Sequence, residues 1–273
     1  MNKIPLFFVI IMISHTIYLS AQMTIRSNFI DDYSALDSSK LIVRYSLDFI
    51  SNPDKPKDVQ ADIVVLEIGH HLSKSYSYGL FKHDSILTNS RANSVPQLQV
   101  PVPPMEVFKN YPSGKNSVVH RSPLRRLIFL YEDDIDIEWK IFPERRQISG
   151  HTCQRAIATF RGRTWEAWFT NQIPVSDGPW KFHGLPGLIL QVTDDQNHYS
   201  FTCIGLSRDI VPIKKWNWKY ERTSRENTND YMRRYAERPV ESMRQMGVTL
   251  YMPGRSQEEM ENYSYPYNPL ELE

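Results

Sequence analysis

Apolar and polar residues alternate along many short stretches of this chain, and this alternation restricts the fold more than any other feature. Over residues 41–50, Val43 and Tyr45 alternate with Arg44 and Ser46, a period of two that is typical of a strand with one buried face. Similar stretches predict strands at residues 61–69, 72–78, 125–132, 135–142, 147–160, 164–170, 188–193, 198–207 and 211–219. Short strands separated by Asn, Asp, Gly and Pro predict a mainly β (α+β) domain. We expect an antiparallel meander sheet that curls into a half-barrel around a helix or the C-terminal tail.

Three segments do not follow this alternation. Residues 90–114 are rich in proline and predict an extended surface loop. Residues 223–246 are polar and charged, and they predict one helix that is broken near Arg238 and Pro239. The tyrosine- and proline-rich tail at 263–269 predicts an ordered segment that lies across the body of the protein. Without a repeat or a linker, residues 22–273 are expected to form a single domain.

The first residues have the pattern of a secretory signal peptide. Lys3 precedes a mostly apolar run at 4–19, and Ala21 then stands before a polar residue. The run is shorter than the roughly 20 apolar residues that a membrane span needs. We therefore expect a signal peptide over residues 1–21, cleaved after Ala21. The mature protein is then periplasmic or secreted and does not span the membrane.

The charge balance of the chain argues against nucleic acid as a partner. It contains 32 Lys and Arg against 31 Asp and Glu, and removal of the leader takes away Lys3. A neutral chain has no overall attraction for nucleic acid or for anionic lipid.

The mature chain has two cysteines, Cys153 and Cys203. In an oxidising compartment, such a pair suggests a disulfide. If the predicted strands form a meander, however, the two cysteines lie about three strands apart, or roughly 14 Å. A disulfide needs Cα atoms within about 4.4–6.8 Å of each other. The sequence leaves open either a disulfide or two buried free thiols.

The segment 178–190 has the most unusual local composition in the chain. Its glycines and prolines specify backbone shape rather than chemistry, and Leu185 to Leu188 read as a type II turn with Gly187 at the third position. Trp180 and Phe182 are placed to hold the segment against the sheet. We interpret this connection between strands either as a loop that seals one end of the core or as the lip of a ligand site. The residues assigned to the structural motif are Gly178, Pro179, Gly184, Leu185, Pro186, Gly187, Leu188 and Ile189.

This segment and several other motifs resemble those of the GLPGLI family, which comprises exported proteins of Bacteroidota. The resemblance covers nearly the whole mature chain, and it departs from the family at His151, where a tyrosine is common. The matching stretches are 65–69, 73–74, 137–139, 148–156, 160–163, 167–170, 173–174, 184–189 and 268–273. The resemblance implies export and a cell-envelope setting. It implies no reaction, ligand or catalytic residue.

The sequence contains no arrangement that predicts catalysis or metal binding. It has no nucleophile elbow, zinc-protease motif, phosphate-binding loop or dinucleotide fingerprint. His151 and Cys153 share a strand face, which would suit a thiol nucleophile or a metal site with Cys203 or His183. A buried thiol beside an outward histidine is the commoner arrangement. The acidic residues at 133–138 lack the spacing of a calcium loop. We therefore predict no catalytic residues, no metal and no cofactor.

The sequence favours a non-enzymatic binding protein of the cell envelope. A curled sheet in a chain with 12% aromatic residues offers an apolar groove for a lipophilic ligand or a peptide. The candidate ligand-binding residues are Trp165, Trp168, Trp180 and Phe182. One alternative is a docking partner of an outer-membrane transporter or secretion complex. Another is a hydrolase that depends on Cys153 or on a metal.

Overall fold

The structure is a computed structural model, and it describes residues 25–90, 104–123, 127–247 and 254–273. The predicted signal peptide lies outside these residues. The strands are β1 Tyr33–Ser38, β2 Leu41–Ile50, β3 Val59–Ile68, β4 Ser73–Ser77, β5 Met105–Lys109, β6 Ser117–Arg121, β7 Ile128–Glu132, β8 Lys140–Ile148, β9 His151–Phe160, β10 Arg163–Thr170, β11 Leu188–Asp194, β12 Tyr199–Ser207, β13 Pro212–Trp216 and β14 Glu221–Arg222. The helices are α1 Tyr78–Ser90, α2 Arg225–Glu237, α3 Pro239–Gln245 and α4 Gln257–Glu261.

Twelve of these strands form one large sheet, in the order β14-β7-β6-β5-β4-β3-β2-β12-β11-β10-β9-β8. The chain starts near the middle with β2, runs outward strand by strand to β7, crosses to the far edge at β8 and returns to β12. Pairing of β12 with β2 joins the two meanders. All neighbours are antiparallel except β14 and β7. The predicted mainly β, antiparallel-rich fold is therefore confirmed, with β14 and β8 as its two edges.

The main core lies where both meanders meet the connection 171–187 and the C-terminal tail. Tyr45 and Leu47 of β2, Trp165 of β10 and Phe182 of the connection belong to one buried cluster, which also includes Leu270 of the tail. A partly curled sheet agrees with this arrangement. Each fully buried large side chain contributes about 1.5–3 kcal/mol to stability.

Several predicted elements are correct. The stretches 61–69 and 72–78 form the paired strands β3 and β4. The predicted helix 223–246 is divided as expected, because Pro239 begins α3 one residue after Arg238 caps α2. Pro suits the first helical position, where its missing N–H has no helical partner.

Other predictions were wrong. Residues 147–160 do not form one strand, because Ser149 and Gly150 turn the chain with φ of 48° and 78° between β8 and β9. Only the end of 135–142 belongs to a strand. The predicted loop 90–114 contains β5, which pairs with β4 and β6, while residues 91–103 lie outside the described part. Helix α1 was not predicted. Among the described residues, no helix has the length and apolar character needed to cross a membrane.

Candidate functional site

Three of the four predicted ligand-binding residues lie together in the core. The Phe182 ring centroid is 4.8 Å from that of Trp165 and 5.0 Å from that of Trp180, and both pairs meet edge to face. All three side chains are at most 4% exposed. Trp180 also borders a small cavity of about 30 Å³. These rings therefore fix the connection 171–187 to the sheet.

Trp168 belongs to the same buried cluster as the other three, but it has different neighbours. In β10 it shares a face with Glu166, whose Oε1 accepts a hydrogen bond of 2.9 Å from the indole Nε1. The Arg146 guanidinium stacks over its ring at 3.9 Å. Because side chains alternate along a strand, this face is opposite that of Trp165. Among the described ring pairs, those that join Trp165, Trp180 and Phe182 do not include Trp168.

Gly187 has a different role from the one predicted. It has no positive φ, so the predicted type II turn is wrong, and the positive φ of 93° belongs to Gly184. A Cβ added at Gly187 would lie 2.2 Å from the carbonyl oxygen of Thr170. Glycine is therefore needed because β11 starts in direct contact with the end of β10.

Two buried lysines, neither predicted from the sequence, anchor the same connection. Lys109 of β5 pairs with Asp177, and its Nζ also donates to the carbonyl of Gly178 at 2.6 Å. Lys181 is fully buried and pairs at 2.5 Å with both Asp133 and Glu271. Buried lysines are rare unless they are paired. The carboxylates of Asp177, Asp133 and Glu271 explain how the chain accommodates these two.

Hydrogen bonds to the sheet hold the C-terminal tail in place. Arg163 donates to the side chain of Asn268 at 2.7 Å and to the carbonyl of Pro269 at 2.6 Å. The Asn268 amide in turn donates to the carbonyl of Ile50 at 2.6 Å. Leu270 then enters the core. The predicted tail across the body is confirmed, and it closes one side of a cavity.

That cavity has a volume of about 90 Å³ and lies between the sheet, α2 and the tail. The buried residues of α2 include Thr228, Met232 and Ala236, which follow a helical spacing and form one face. This face brings Met232 to the cavity. The lining residues that matter most are Phe49, Met105, His120, Tyr199, Met232 and Leu270.

His120 is one of several polar residues in this mostly apolar lining, which also includes Asn229, Asn268 and Glu271. The His120 side chain is 4% exposed, and its Nδ1 has no hydrogen-bond partner. Burial lowers the pKa of His120 to about 4, so the ring is neutral at physiological pH. A buried polar atom without a partner is costly. The cavity therefore combines mostly apolar walls with a buried histidine whose Nδ1 has no hydrogen-bond partner.

A second, polar cleft of about 390 Å³ lies beside the connection 171–187. It is bordered by the turn between β3 and β4, the turn between β5 and β6, and the connection itself. Its polar lining includes His70, His71, Ser73, Lys115, Asp177 and His183. His70 and His71 lie in the turn between β3 and β4, and nothing in the sequence indicated that His183 lies nearby.

The two cysteines are free and buried in the structure, which corresponds to the free-thiol alternative. Burial raises the pKa of the Cys153 thiol to about 11 and also raises that of Cys203. The His151 ring nitrogen faces the carbonyl of Ser149 at 2.9 Å. Within the described ranges, no group of three or more His, Cys, Asp or Glu side chains is arranged to hold a metal ion.

Comparisons with known proteins add a family match and a distant structural likeness. A family model described as "Protein of unknown function (Porph_ging)" matches residues 160–191, which span β10, the connection and the start of β11. No curated protein matches the chain. Two structures of PNGF-II, in the P21 and C2 space groups, each match with a TM-score of 0.48, 14% identity and 73% of this chain covered. The match covers 34% and 33% of those chains, so this chain spans about a third of their length.

Proposed function

We propose that the protein is a non-enzymatic, exported cell-envelope protein of the GLPGLI type that binds a small lipophilic ligand beneath its C-terminal tail. The observation that carries the proposal is the apolar cavity of about 90 Å³ between the sheet, α2 and the tail. Apolar pockets with a few placed polar groups are the usual form of small-ligand sites.

The walls of the cavity suit an apolar ligand. Phe49 and Tyr199 stack with ring centroids 5.9 Å apart, and Met105 and Met232 stand on other sides. Methionine side chains are flexible and adapt to ligands of different shape. Each methylene group buried there contributes about 0.8 kcal/mol of binding free energy.

The tail limits the size of the ligand. A cavity of about 90 Å³ has the volume of about three water molecules, and a cavity of about 150 Å³ holds benzene. Leu270 and Pro269 of the tail line the cavity, and the contacts of Arg163 hold them in place. The site therefore accommodates a short aliphatic group rather than a long acyl chain.

His120 supplies the polar contact. Its unpartnered Nδ1 accepts a hydrogen bond from a ligand hydroxyl in one neutral tautomer and donates one in the other. A short aliphatic alcohol meets both requirements of the site.

The hydrolase alternative is disfavoured by the chemistry of Cys153. The thiolate is the nucleophile in cysteine catalysis, and a pKa raised to about 11 by burial keeps Cys153 protonated near neutral pH. The docking alternative stays a prediction from the sequence, to be tested by co-purification with membrane partners.

Calorimetry with linear alcohols from ethanol to hexanol tests the lipophilic site. Affinity should rise about fourfold with each added methylene, which corresponds to about 0.8 kcal/mol, and should stop rising once the chain fills the cavity. Met232→Trp fills the cavity and should abolish binding. Ile204→Trp, at a strand position that is 55% exposed, is the matched control. The proposal would be contradicted if both variants bound all the alcohols with the same weak affinity.

Export has a separate test. The mature protein collected from the periplasm or medium should begin near Gln22 when its intact mass is measured. A protein that retains residues 1–21 in the cytoplasm would contradict the cell-envelope assignment without bearing on the cavity.

A further inference from the structure

We propose that the polar cleft beside the connection 171–187 is a second binding site, which takes a small oxyanion such as a phosphate or carboxylate group. The cleft is independent of the lipophilic cavity, since its lining comes from the β3–β4 turn, the β5–β6 turn and the connection. Its volume of about 390 Å³ is within the range of small-molecule sites.

Ser73 gives the first indication of a ligand. It is 4% exposed, and its Oγ has no hydrogen-bond partner, although it lines the cleft. Ser73 pairs with Lys109 across β4 and β5, and cross-strand partners project from the same face of the sheet. Lys109 reaches Asp177, so Ser73 lies on the face that the connection covers. A buried hydroxyl without a partner points to a missing ligand atom or water.

His183 gives the second indication, from the opposite wall. Its Nδ1 is also buried and without a hydrogen-bond partner. The position of the residue is fixed, because its carbonyl accepts a hydrogen bond of 2.8 Å from the Trp139 indole. Two residues from separate elements, each with a buried and unsatisfied polar atom, thus border one cleft.

The available groups of the cleft are mainly hydrogen-bond donors. The Asp177 carboxylate is already paired with Lys109 and accepts the Gly178 N–H at 2.8 Å, so it offers little to a cation. Lys115 pairs with Glu132, but both side chains are at least half exposed. Such a pair contributes less than about 1 kcal/mol, so the Lys115 ammonium is free to turn toward an anion.

An oxyanion satisfies these donors better than a metal or a neutral ligand. The Ser73 hydroxyl and the Lys115 ammonium donate to an anionic oxygen, and the His183 imidazole does so in the neutral tautomer that carries its proton on Nδ1. Hydrogen bonds to a charged acceptor are about twice as strong as neutral ones. A metal is disfavoured because the described residues hold no group of three ligating side chains with suitable geometry.

The test is a titration of the mature full-length protein, followed through backbone amide and histidine signals by NMR. Inorganic phosphate and acetate are the two anion probes, with sodium chloride at matched ionic strength and glycerol as the neutral probe. We expect saturable shifts around Ser73, Asn116 and His183 with phosphate or acetate. The anion that binds more tightly shows whether the natural ligand carries a phosphate or a carboxylate group.

Variants make the test specific. Ser73→Ala and His183→Gln should each weaken anion binding about tenfold, while the exposed Lys115→Gln should weaken it without any effect on folding. His198→Gln is the matched control, because its Nδ1 is likewise unpartnered but it does not line the cleft. The proposal is overturned if both anions bind more weakly than about 10 mM, if glycerol binds as well as they do, or if Lys115→Gln and His198→Gln have the same effect.

Discussion

Lys181 of the connection and Glu271 of the tail form an ion pair in which Nζ lies 2.5 Å from Oε1 and both side chains are at most 2% exposed. The same Nζ pairs with Asp133, which directly follows β7. Arg161 and Arg225 also approach Glu271. One lysine thus joins the segment of the family match to the tail that closes the lipophilic cavity.

We predict that Lys181→Met lowers the free energy of unfolding by up to about 3–5 kcal/mol, because it removes the fully buried cation between Asp133 and Glu271. The two carboxylates then keep Arg161 and Arg225 as partners. Urea unfolding followed by circular dichroism measures this loss. The matched control is Lys115→Met, whose exposed pair with Glu132 should contribute less than about 1 kcal/mol. Equal effects of the two variants would show that the buried pair does not hold the tail.

Gly187→Ala should destabilise the protein by about 2 kcal/mol or more, because the new Cβ would meet the Thr170 carbonyl at 2.2 Å. Gly205→Ala is the control, since nothing lies within 4 Å of a Cβ at that position. It should change stability by no more than about 0.5 kcal/mol. Thermal melts of both variants make the comparison, and a harmless Gly187→Ala would refute the close approach of β11 to β10.

The neutral state of His120 predicts a specific loss of stability in acid. Its pKa falls from near 6.5 in the unfolded chain to about 4 in the folded protein, so the unfolded state binds the proton first. Stability contributed by the neutral ring is complete above about pH 6.5 and is lost as the pH falls through about 4. The full loss is about 3 kcal/mol.

His120→Gln removes this titration. The difference in unfolding free energy between the variant and the wild type should therefore change by up to about 3 kcal/mol between pH 7 and pH 4. The exposed His70→Gln is the control. If the wild type and His120→Gln lose stability in parallel over this range, His120 is not a buried neutral group.

Cys153 and Cys203 should be unreactive in the folded protein, because both are buried with raised thiol pKa values. At pH 8, iodoacetamide should label neither thiol in buffer and both in urea, as counted by intact mass. A non-reduced mass lower by two hydrogens, with no labelling in urea, would establish a disulfide instead.

The sheet was largely predictable from sequence, because alternation marks each strand that has one buried face. Residues 41–50 became β2 with no change of bounds. The pattern failed for β5, whose last four residues are all buried, including Glu106 and Lys109. A strand buried on both faces shows no alternation. The preceding prolines then made a loop the natural prediction.

The candidate sites were less predictable, because they depend on contacts between distant segments. Trp165, Trp180 and Phe182 were reasonable ligand residues by composition, but their rings pack on one another in the core. His120 and Ser73 carry no local signal. Their importance comes from burial without a hydrogen-bond partner, and only the assembled fold determines which polar atoms lack partners.

The most direct measurement of the lipophilic site is NMR of ¹³C-methyl methionine in the mature protein during addition of 1-butanol. Met105 and Met232 line the cavity, while Met243 of α3 is buried elsewhere, beside Tyr235 and Tyr265. Saturable shifts of the Met105 and Met232 methyl signals, with Met243 unchanged, are the predicted result. Shifts of all three signals together, or of none, would contradict ligand binding beneath the tail.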